Sequence, residues 1–139
     1  MDNWDKAKTL LAEGGYTCAI CGGDKVYTSH ERGVKPLLEL LEQGAELKGF
    51  SAADRVVGKA AAFLYVLLGV SAVYAGVISE PAAGVFRRFG VQADWDEKVD
   101  AILNRTNTGF CPMESAVWDI DEPEKAPDAI KKKLSVLRG

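Results

Sequence analysis

The sequence predicts an α/β fold, a three-layer α/β/α sandwich built around a mixed sheet. Two short β-rich runs, residues 16–21 and 25–29, flank Gly22-Gly23-Asp24, which is a hairpin signal and indicates antiparallel strands. Helical and strand-like segments then alternate along the chain, which favours parallel strands with helices on both faces. A length of 139 residues and a hydrophobic content of 47% are typical of one globular domain. We assign that domain to residues 1–121 and a tail with a short amphipathic helix to residues 122–139.

The first half of the chain predicts three helices besides the hairpin. Residues 2–13 carry an apolar face at helical spacing, and residues 34–42 repeat leucine at that spacing before Gly44. Ser51-Ala-Ala-Asp54 resembles a capping box, so it predicts the start of a helix that runs to about Leu68. This third helix is apolar on nearly every side, which indicates a central position in the fold.

The second half predicts two strands and three helices. Residues 72–78 are typical of a strand buried on both faces. Glu80-Pro81 opens a helix that ends at Gly90, because proline favours the first helical turn and glycine the end. The remaining segments are predicted as a strand at 91–95, a helix at 96–103, an irregular stretch at 104–112 and a basic helix at 128–137.

Composition excludes several classes of protein. A net charge of −3 argues against a nucleic-acid partner, which a basic face would attract. The chain starts without an apolar signal core, and its three cysteines are an odd number, so we expect reduced thiols in the cytoplasm. Residues 60–79 carry no charge, but Gly69 divides them into a helix and a strand, so we expect no membrane partner.

Ligands in open α/β sheets collect where strands end and helices begin. The first such junction carries Ser29, Arg32, Gly33 and Lys35. Gly33 and the first amides of the next helix could hold an anion, with Arg32 and Lys35 beside it. The same residues also fit an ordinary surface loop that caps a helix.

The second junction is the predicted helix start at residues 51–59. Arg55 and Lys59 would lie one turn apart there, and like charges at that spacing repel. On a buried helix they require acidic neighbours or an anionic ligand, and Asp54 and Glu80 are the candidate neighbours.

The third junction ends in Cys111-Pro112. Proline at the first helical position makes Cys111 the residue at a helix start, where the helix dipole and Arg105 would lower the thiol pKa. A cysteine nucleophile also needs a base, and the only histidine is His30. A solvated histidine on a polar loop remains the simpler interpretation.

Cys18 and Cys21 have the spacing of a zinc knuckle. Four ligands would require Cys111 and His30 as well, because the chain has no second pair. If Cys18 and Cys21 lie on one strand, they point to opposite faces of the sheet. We therefore expect two buried cysteines and no metal or other cofactor.

Four blocks of sequence resemble a known family. The runs TSHERGVKPLLELL, AADRVVGKAAAFL, VYAGVISEPA and NRTNTGFCPMESAV are similar to an uncharacterised bacterial family, domain of unknown function 1893. They occur in the same order over most of residues 8–118 and leave the tail beyond Asp121 uncovered. That family is placed in the cytidine-deaminase-like fold, so the resemblance implies a three-layer α/β/α sandwich.

The resemblance also implies where a deaminase would hold zinc. Zinc deaminases carry His-x-Glu at one helix start and Pro-Cys-x-x-Cys at the next. In this chain Ala82 and Val85 replace the two cysteines after Pro81. Ala52-Ala53-Asp54, or Val57-Gly58-Lys59 in a shifted register, stands for the first motif without a metal ligand. We therefore do not expect zinc-dependent deamination.

The leading hypothesis is a binding module for a small anionic or nucleotide-like ligand. Residues from all three junctions would form its pocket: Asp54, Lys59, Ser79 and Glu80 as the wall, with Arg32, Arg105, Thr106 and Cys111 at the rim. One alternative is an enzyme that uses Cys111 as nucleophile or redox thiol. Another is a structural homo-oligomer, because deaminase-like folds commonly associate, and we expect self-association in any case.

Overall fold

Five strands and six α-helices make up the described part of the chain. The computed structural model describes residues 2–31, 33–103 and 111–138. The elements in chain order are α1 Asn3–Gly14, β1 Cys18–Gly22, β2 Lys25–Ser29, α2 Lys35–Glu42, β3 Ser51–Val57, α3 Lys59–Leu68, β4 Ala72–Ser79, α4 Glu80–Phe89, β5 Gln92–Val99, α5 Pro112–Val117, a 3-10 turn Pro123–Lys125 and α6 Ala126–Arg138.

The five strands form one mixed sheet in the order β2-β1-β3-β4-β5. Strand β1 is antiparallel to both β2 and β3, whereas β3, β4 and β5 are parallel to one another. Helices α3 and α4 connect the parallel strands, so both helices begin at the edge where those strands end. The predicted mixed sheet is confirmed.

Helices cover both faces of the sheet. Helix α1 packs on one face, where Ala7 and Leu11 contact Cys21 and Ala53. The other helices contribute to the larger core on the opposite face, and α3 lies at its centre with Tyr65 fully buried. The three-layer α/β/α arrangement predicted from the sequence is therefore confirmed.

The hairpin and α4 form as their local chemistry predicts. Strands β1 and β2 pair from Cys18–Ser29 to Gly22–Lys25, around the glycine turn. Helix α4 begins where the Ser79 hydroxyl accepts a hydrogen bond from the Ala82 N–H at 3.1 Å. The turn and capping residues of both segments act on neighbours only a few positions away in sequence. Tertiary packing does not override these local preferences.

The predicted helix from Ser51 to Leu68 is wrong over its first part. Residues 51–57 form β3, which pairs with β1 and β4, and the helix begins only at Lys59. Alanine, aspartate and arginine are not strand formers in isolation, but pairing on both sides of a central strand outweighs that preference. Arg55 and Lys59 therefore do not share a helix face, and the expected repulsion between them does not arise.

The helix predicted for residues 96–103 is also wrong. Strand β5 continues to Val99 and pairs with β4 as far as Ser79. β5 is an edge strand whose side chains are mostly exposed, so its acidic residues reach solvent from the strand.

Strands β3 and β4 share a local irregularity that positions the side chains near the site. Ala52 and Val57 both face the larger core, although residues five apart on a regular strand point to opposite faces. Val73 and Ile78 on β4 show the same change of face. A Cβ on Gly76 would lie 2.7 Å from the Arg55 carbonyl oxygen, so the two strands approach closely at this level.

The uncharged stretch at residues 60–79 consists of two elements, α3 and β4. Gly69 ends α3 with a φ of +89°, a left-handed conformation that glycine adopts without a Cβ clash. Within the described residues no helix is long and apolar enough to cross a membrane.

The last helix packs on the main core. Ala126 and Ile130 of α6 are fully buried, and α6 contacts α3 and α5. Lys131 pairs with Glu42 of α2 at 3.3 Å, although both side chains are about half exposed. The boundary placed at residue 121 stays a prediction.

Candidate functional site

A cavity of about 500 Å³ lies between the β1–β2 hairpin and α2, and we refer to it as the hairpin pocket. Its walls combine apolar side chains from the strands and α2 with polar groups at the end of β2. The lining residues are Cys18, Ile20, Val26, Tyr27, Thr28, Ser29, Glu31, Pro36, Leu37, Glu39, Leu40 and Gln43.

Cys18 connects the pocket to a buried hydrogen-bond chain. It lines the cavity, and its Sγ lies 3.1 Å from the Tyr65 hydroxyl oxygen. Burial raises the pKa of the Cys18 thiol well above its ordinary value, and the nearby Asp54 carboxylate adds to that effect. Cys18 is therefore a protonated thiol at neutral pH and a poor nucleophile.

Asp54 is at the inner end of this chain. The Tyr65 hydroxyl donates to Asp54 Oδ2 at 2.7 Å, and the Val56 N–H donates to Oδ1 at 3.3 Å. Burial raises the pKa of Asp54 to about 6, although these hydrogen bonds favour the ionised form. Burial and the charge of Asp54 likewise raise the pKa of Tyr65, which stays protonated. Asp54 is therefore the member of the chain that changes charge near neutral pH.

The neighbouring arginine does not compensate this carboxylate. Arg55 points to the opposite face of the sheet, where Nε donates to the Tyr16 carbonyl at 2.7 Å and Nη2 to the Leu11 carbonyl at 2.9 Å. Among the described residues, the lysines in ion pairs contact Glu39, Glu42, Glu80 and Glu122 rather than Asp54. A partly buried carboxylate without a cation is costly to keep ionised, which makes it a functional candidate.

Of the four residues predicted to bind a ligand at the first junction, one described residue lines the hairpin pocket. Ser29 lines the cavity, and its Oγ accepts a hydrogen bond from the Glu31 N–H at 3.0 Å. Gly33 has a φ of +80°, and Lys35 lies 4.0 Å from Glu39 at the start of α2. Arg32 lies outside the described residues. The ligand-binding role of these four residues stays a prediction.

The residues expected to wall one pocket at the second junction are distributed among different contacts. Asp54 bonds Tyr65, as described above. Ser79 caps α4, and Glu80 pairs with Lys98 at 2.9 Å, which lowers the pKa of Glu80. Lys59 Nζ donates to the Trp118 carbonyl at 2.8 Å. Each side chain therefore has a structural contact, and its role toward a ligand stays a prediction.

The cysteine at the third junction occupies the predicted position. Cys111 is the N-cap residue of α5, and its N–H donates to the Ile102 carbonyl at 2.8 Å. Arg105 and Thr106 lie outside the described residues. His30 follows β2 at one edge of the sheet, where it stacks on Tyr16 at 4.7 Å between ring centroids. Ile102 lies beside Gly58, between β3 and α3, and the Cys111–His30 pair stays a prediction.

The two remaining cysteines lie on opposite faces of β1. Cys18 belongs to the core around α3, whereas Cys21 belongs to the cluster under α1. The alternation expected for residues on one strand is confirmed, and burial raises the pKa of the Cys21 thiol. One ion cannot bind both sulfurs across the sheet.

Glu114 is a buried carboxylate that the sequence analysis did not single out. It is 1% exposed, and its Oε1 accepts a hydrogen bond from the main-chain N–H of Lys59, the first residue of α3. Its Oε2 lies 3.5 Å from the Ile102 N–H. A carboxylate at a helix N-terminus is stabilised by the helix dipole and by unpaired amides. The anion-binding position at the start of α3 is therefore occupied by the chain itself.

A second, smaller cavity of about 200 Å³ lies between α3, α4 and the segment after α5. Lys59 and Arg88 line it, and Arg88 Nη1 donates to the Asp121 carbonyl at 2.6 Å. Gly84 of α4 also lines it, and a Cβ at Gly84 would meet no heavy atom within 4 Å. Both cations thus hold residues 118–121 against the helices.

Comparisons with known proteins identify relatives of the whole described fold. The family model for a domain of unknown function, DUF1893, matches residues 6–134. The crystal structure of a DUF1893 family protein from Thermotoga maritima is similar, with 28% sequence identity and a TM-score of 0.84. That likeness covers 96% of this chain and 89% of the other. A search of curated proteins found no match.

Proposed function

The chain belongs to the DUF1893 family, and from this membership and the geometry of the hairpin pocket we propose that it is a binding module for a small nucleoside-like molecule. The proposal retains the cytidine-deaminase-like scaffold that the sequence resemblance implies. The observation that carries it is the cavity of about 500 Å³ whose wall includes a thiol linked to a titratable carboxylate.

The shape and lining of the pocket support this ligand class. Small-molecule sites have volumes of about 300–1,000 Å³ and combine apolar walls with a few polar groups. Ile20, Leu37 and Leu40 provide an apolar surface for a flat ring, and Tyr27 adds an aromatic side chain. The polar groups of β2, α2 and the segment after β2 can bond the hydroxyls of a sugar.

The charge of the pocket favours a neutral ligand over the anionic or nucleotide-like ligand expected from the sequence. Among the described lining residues, the charged ones are Glu31 and Glu39, and both are acidic. Lys35 is close in sequence, but it is not among the lining residues, and its ammonium group pairs with Glu39. A phosphate would be repelled by these carboxylates, whereas ribose hydroxyls can donate to them.

The side chains at the two helix starts do not fit the zinc site of a deaminase. Helix α3 begins after Gly58 with Lys59, and α4 carries Ala82 and Val85 where the resemblance places cysteines. Ala82 and Val85 are buried alkyl groups that offer no thiolate or imidazole. We therefore derive no hydrolytic step at a metal.

Calorimetric titration with adenosine and adenosine 5′-monophosphate tests the proposal. We expect adenosine to bind and the monophosphate to bind at least about tenfold more weakly, equivalent to roughly 1.4 kcal/mol of repulsion. Equal or tighter binding of the monophosphate would favour the anionic ligand instead, and no binding of either compound would contradict the proposed site.

A pair of tryptophan variants locates the binding. Leu40→Trp should block the pocket, because Leu40 lines the cavity. Val136→Trp is the matched control, because Val136 is 67% exposed on α6 and outside the pocket lining. Loss of adenosine binding in both variants, or in neither, would place the ligand elsewhere.

The other hypotheses remain predictions with their own tests. An enzyme acting through Cys111 predicts that Cys111 reacts with iodoacetamide faster than a free thiol at neutral pH. Homo-oligomer formation predicts a mass above 15.0 kDa in light scattering. Cytoplasmic localisation predicts that the thiols of Cys18, Cys21 and Cys111 are reduced in cells.

A further inference from the structure

We propose that the chain of hydrogen bonds Cys18–Tyr65–Asp54 determines whether the wall of the hairpin pocket offers a ligand an acceptor or a donor, according to the protonation state of Asp54. This inference rests on the proposed function, because it concerns the ligand of the same pocket. It makes Cys18 a specificity-determining residue, with Tyr65 and Asp54 as the positioning residues behind it.

With Asp54 ionised, the direction of each hydrogen bond is determined. The Tyr65 hydroxyl has one proton, which it donates to Asp54 Oδ2 at 2.7 Å. The contact of 3.1 Å between Cys18 Sγ and the Tyr65 oxygen can then form only if the thiol donates. The sulfur lone pairs are left for the pocket, so the ionised state presents an acceptor.

With Asp54 protonated, the chain can run in the opposite direction. The carboxyl O–H donates to the Tyr65 oxygen, and the Tyr65 hydroxyl donates to Cys18 Sγ. The Cys18 S–H is released toward the pocket, so the neutral state presents a donor. No covalent bond between heavy atoms changes, and the one added proton comes from solvent.

In the surroundings of Asp54, only the side chains of Cys18 and Tyr65 are proposed to take part in the switch with it. Strand β1 and helix α3 turn Cys18 and Tyr65 toward Asp54. The charged or titratable groups on the other packed elements lie elsewhere: Arg55, Cys21, Tyr74, Lys6 and Lys8 on the α1 face, and Lys59 at the start of α3. Because burial raises the pKa of Asp54 to about 6, both states are populated within the working range of most proteins.

The switch predicts which ligand groups are preferred at each pH. Above the pKa of Asp54, a ligand that places an amine against Cys18 gains a hydrogen bond. Below it, a ligand with an oxygen acceptor at the same place gains one instead. Each of these two hydrogen bonds contributes about 1 kcal/mol, or about fivefold in affinity, so losing one and gaining the other should change the preference about 25-fold across the transition.

Infrared spectroscopy of the free protein tests the switch without any ligand. The difference spectrum between the wild-type protein and Cys18→Ala isolates the S–H stretch of Cys18. We expect that band to shift to higher frequency as the solution is taken from mildly alkaline to mildly acidic pH, because the thiol loses the Tyr65 oxygen as acceptor. The shift should be absent from Asp54→Asn and from Tyr65→Phe. A band that stays constant with pH, or that shifts equally in Asp54→Asn, would overturn the switch.

Two matched nucleosides connect the switch to binding. Adenosine has an exocyclic amine, and 6-methoxypurine riboside has an ether oxygen in its place. We expect the preference for adenosine to fall about 25-fold between about pH 8 and about pH 5, and to be constant in Asp54→Asn. Binding with a constant preference would overturn the switch. A shifting S–H band without nucleoside binding would overturn the proposed function and leave the switch supported.

Discussion

Two carboxylates flank helix α3, and the fold gives them different partners. Glu114 is 1% exposed and accepts hydrogen bonds from the main-chain N–H groups of Lys59 and Ile102. Asp54 is partly buried and accepts from the Tyr65 hydroxyl, which itself can reverse its direction. Main-chain amides can only donate, whereas a hydroxyl can donate or accept.

Burial alone therefore does not indicate function. The partners of Glu114 favour a fixed acceptor, so this carboxylate acts as a helix cap supplied by a distant segment. The side-chain partner of Asp54 tolerates either protonation state, so this carboxylate can respond to pH or to a ligand. Stability measurements on each carboxylate test whether the two differ in this way.

The largest effect is expected at the cap. Glu114→Ala should lower the free energy of unfolding by roughly 3–4 kcal/mol, because two N–H groups lose their acceptor and a cavity forms. Glu114→Gln keeps an oxygen at the site and should cost about 1 kcal/mol. Urea denaturation at neutral pH measures both, and equal losses for the two variants would contradict a capping role.

Replacing Asp54 should increase the stability of the protein, unlike replacing Glu114, and the increase should depend on pH. The pKa of Asp54 is raised from 3.8 to about 6, so the folded state binds the proton more tightly than the unfolded state. The stability contributed by this proton is full below the ordinary pKa and is lost as pH rises through about 6. Asp54→Asn should therefore be more stable than the wild-type protein at about pH 8, by about 2 kcal/mol, and by much less at about pH 4.

Urea denaturation at the two ends of this pH range measures the difference between these two proteins. The amide introduced by Asp54→Asn can accept from the Val56 N–H with its oxygen and donate to the Tyr65 oxygen with its N–H, as the protonated carboxyl does, so the comparison removes the charge. A constant difference across this range would mean that Asp54 does not titrate in the window that its raised pKa defines.

The tyrosine between the carboxylate and the thiol should show a smaller effect. Tyr65→Phe should cost about 1.5 kcal/mol at about pH 8 and about 1 kcal/mol at about pH 5, because the hydroxyl bonds a charged group only at the higher pH. Tyr74→Phe is the control on the opposite face, where the Tyr74 hydroxyl donates to Asp96. Thermal unfolding of both variants should show a pH-dependent cost only for Tyr65.

The smallest effect on stability is expected at Gly84, which lines the smaller cavity. Gly84→Ala should stabilise the protein by about 0.5–1 kcal/mol, because alanine favours helix and the added Cβ meets open space. Gly76→Ala is the contrasting change, since its Cβ would lie 2.7 Å from the Arg55 carbonyl oxygen, and it should destabilise. Loss of stability in Gly84→Ala would indicate that the smaller cavity is tighter than the structure has it.

Local signals predicted much of the fold correctly. The glycine turn between β1 and β2, the Pro81 start of α4 and the Gly69 end of α3 each act within a few residues. The segments that failed were β3 and the end of β5, where polar residues typical of helices occupy paired strands. Sheet pairing depends on partners distant in sequence, so propensity within one segment could not reveal it.

The candidate site was predictable only in its separate parts. Ser29 was expected near a ligand and lines the hairpin pocket. Asp54 was expected beside Lys59 on a helix and instead bonds Tyr65 from a strand. Glu114 had one available signal, an acidic residue in the first turn after Pro112, but that signal indicates a cap for its own helix rather than for α3.

Residue order alone was enough to predict the α/β class, the hairpin, the order of most elements and the lack of zinc-binding side chains after Pro81. The meeting of Cys18 with Tyr65, and of Lys59 with Glu114, became visible only in the folded chain. These partners are 47 and 55 residues apart along the chain, and only packing of the sheet against α3 brings them within hydrogen-bond distance. A residue's type determines what it can donate or accept, whereas its neighbours in space determine which of these bonds form and what it costs to carry a charge.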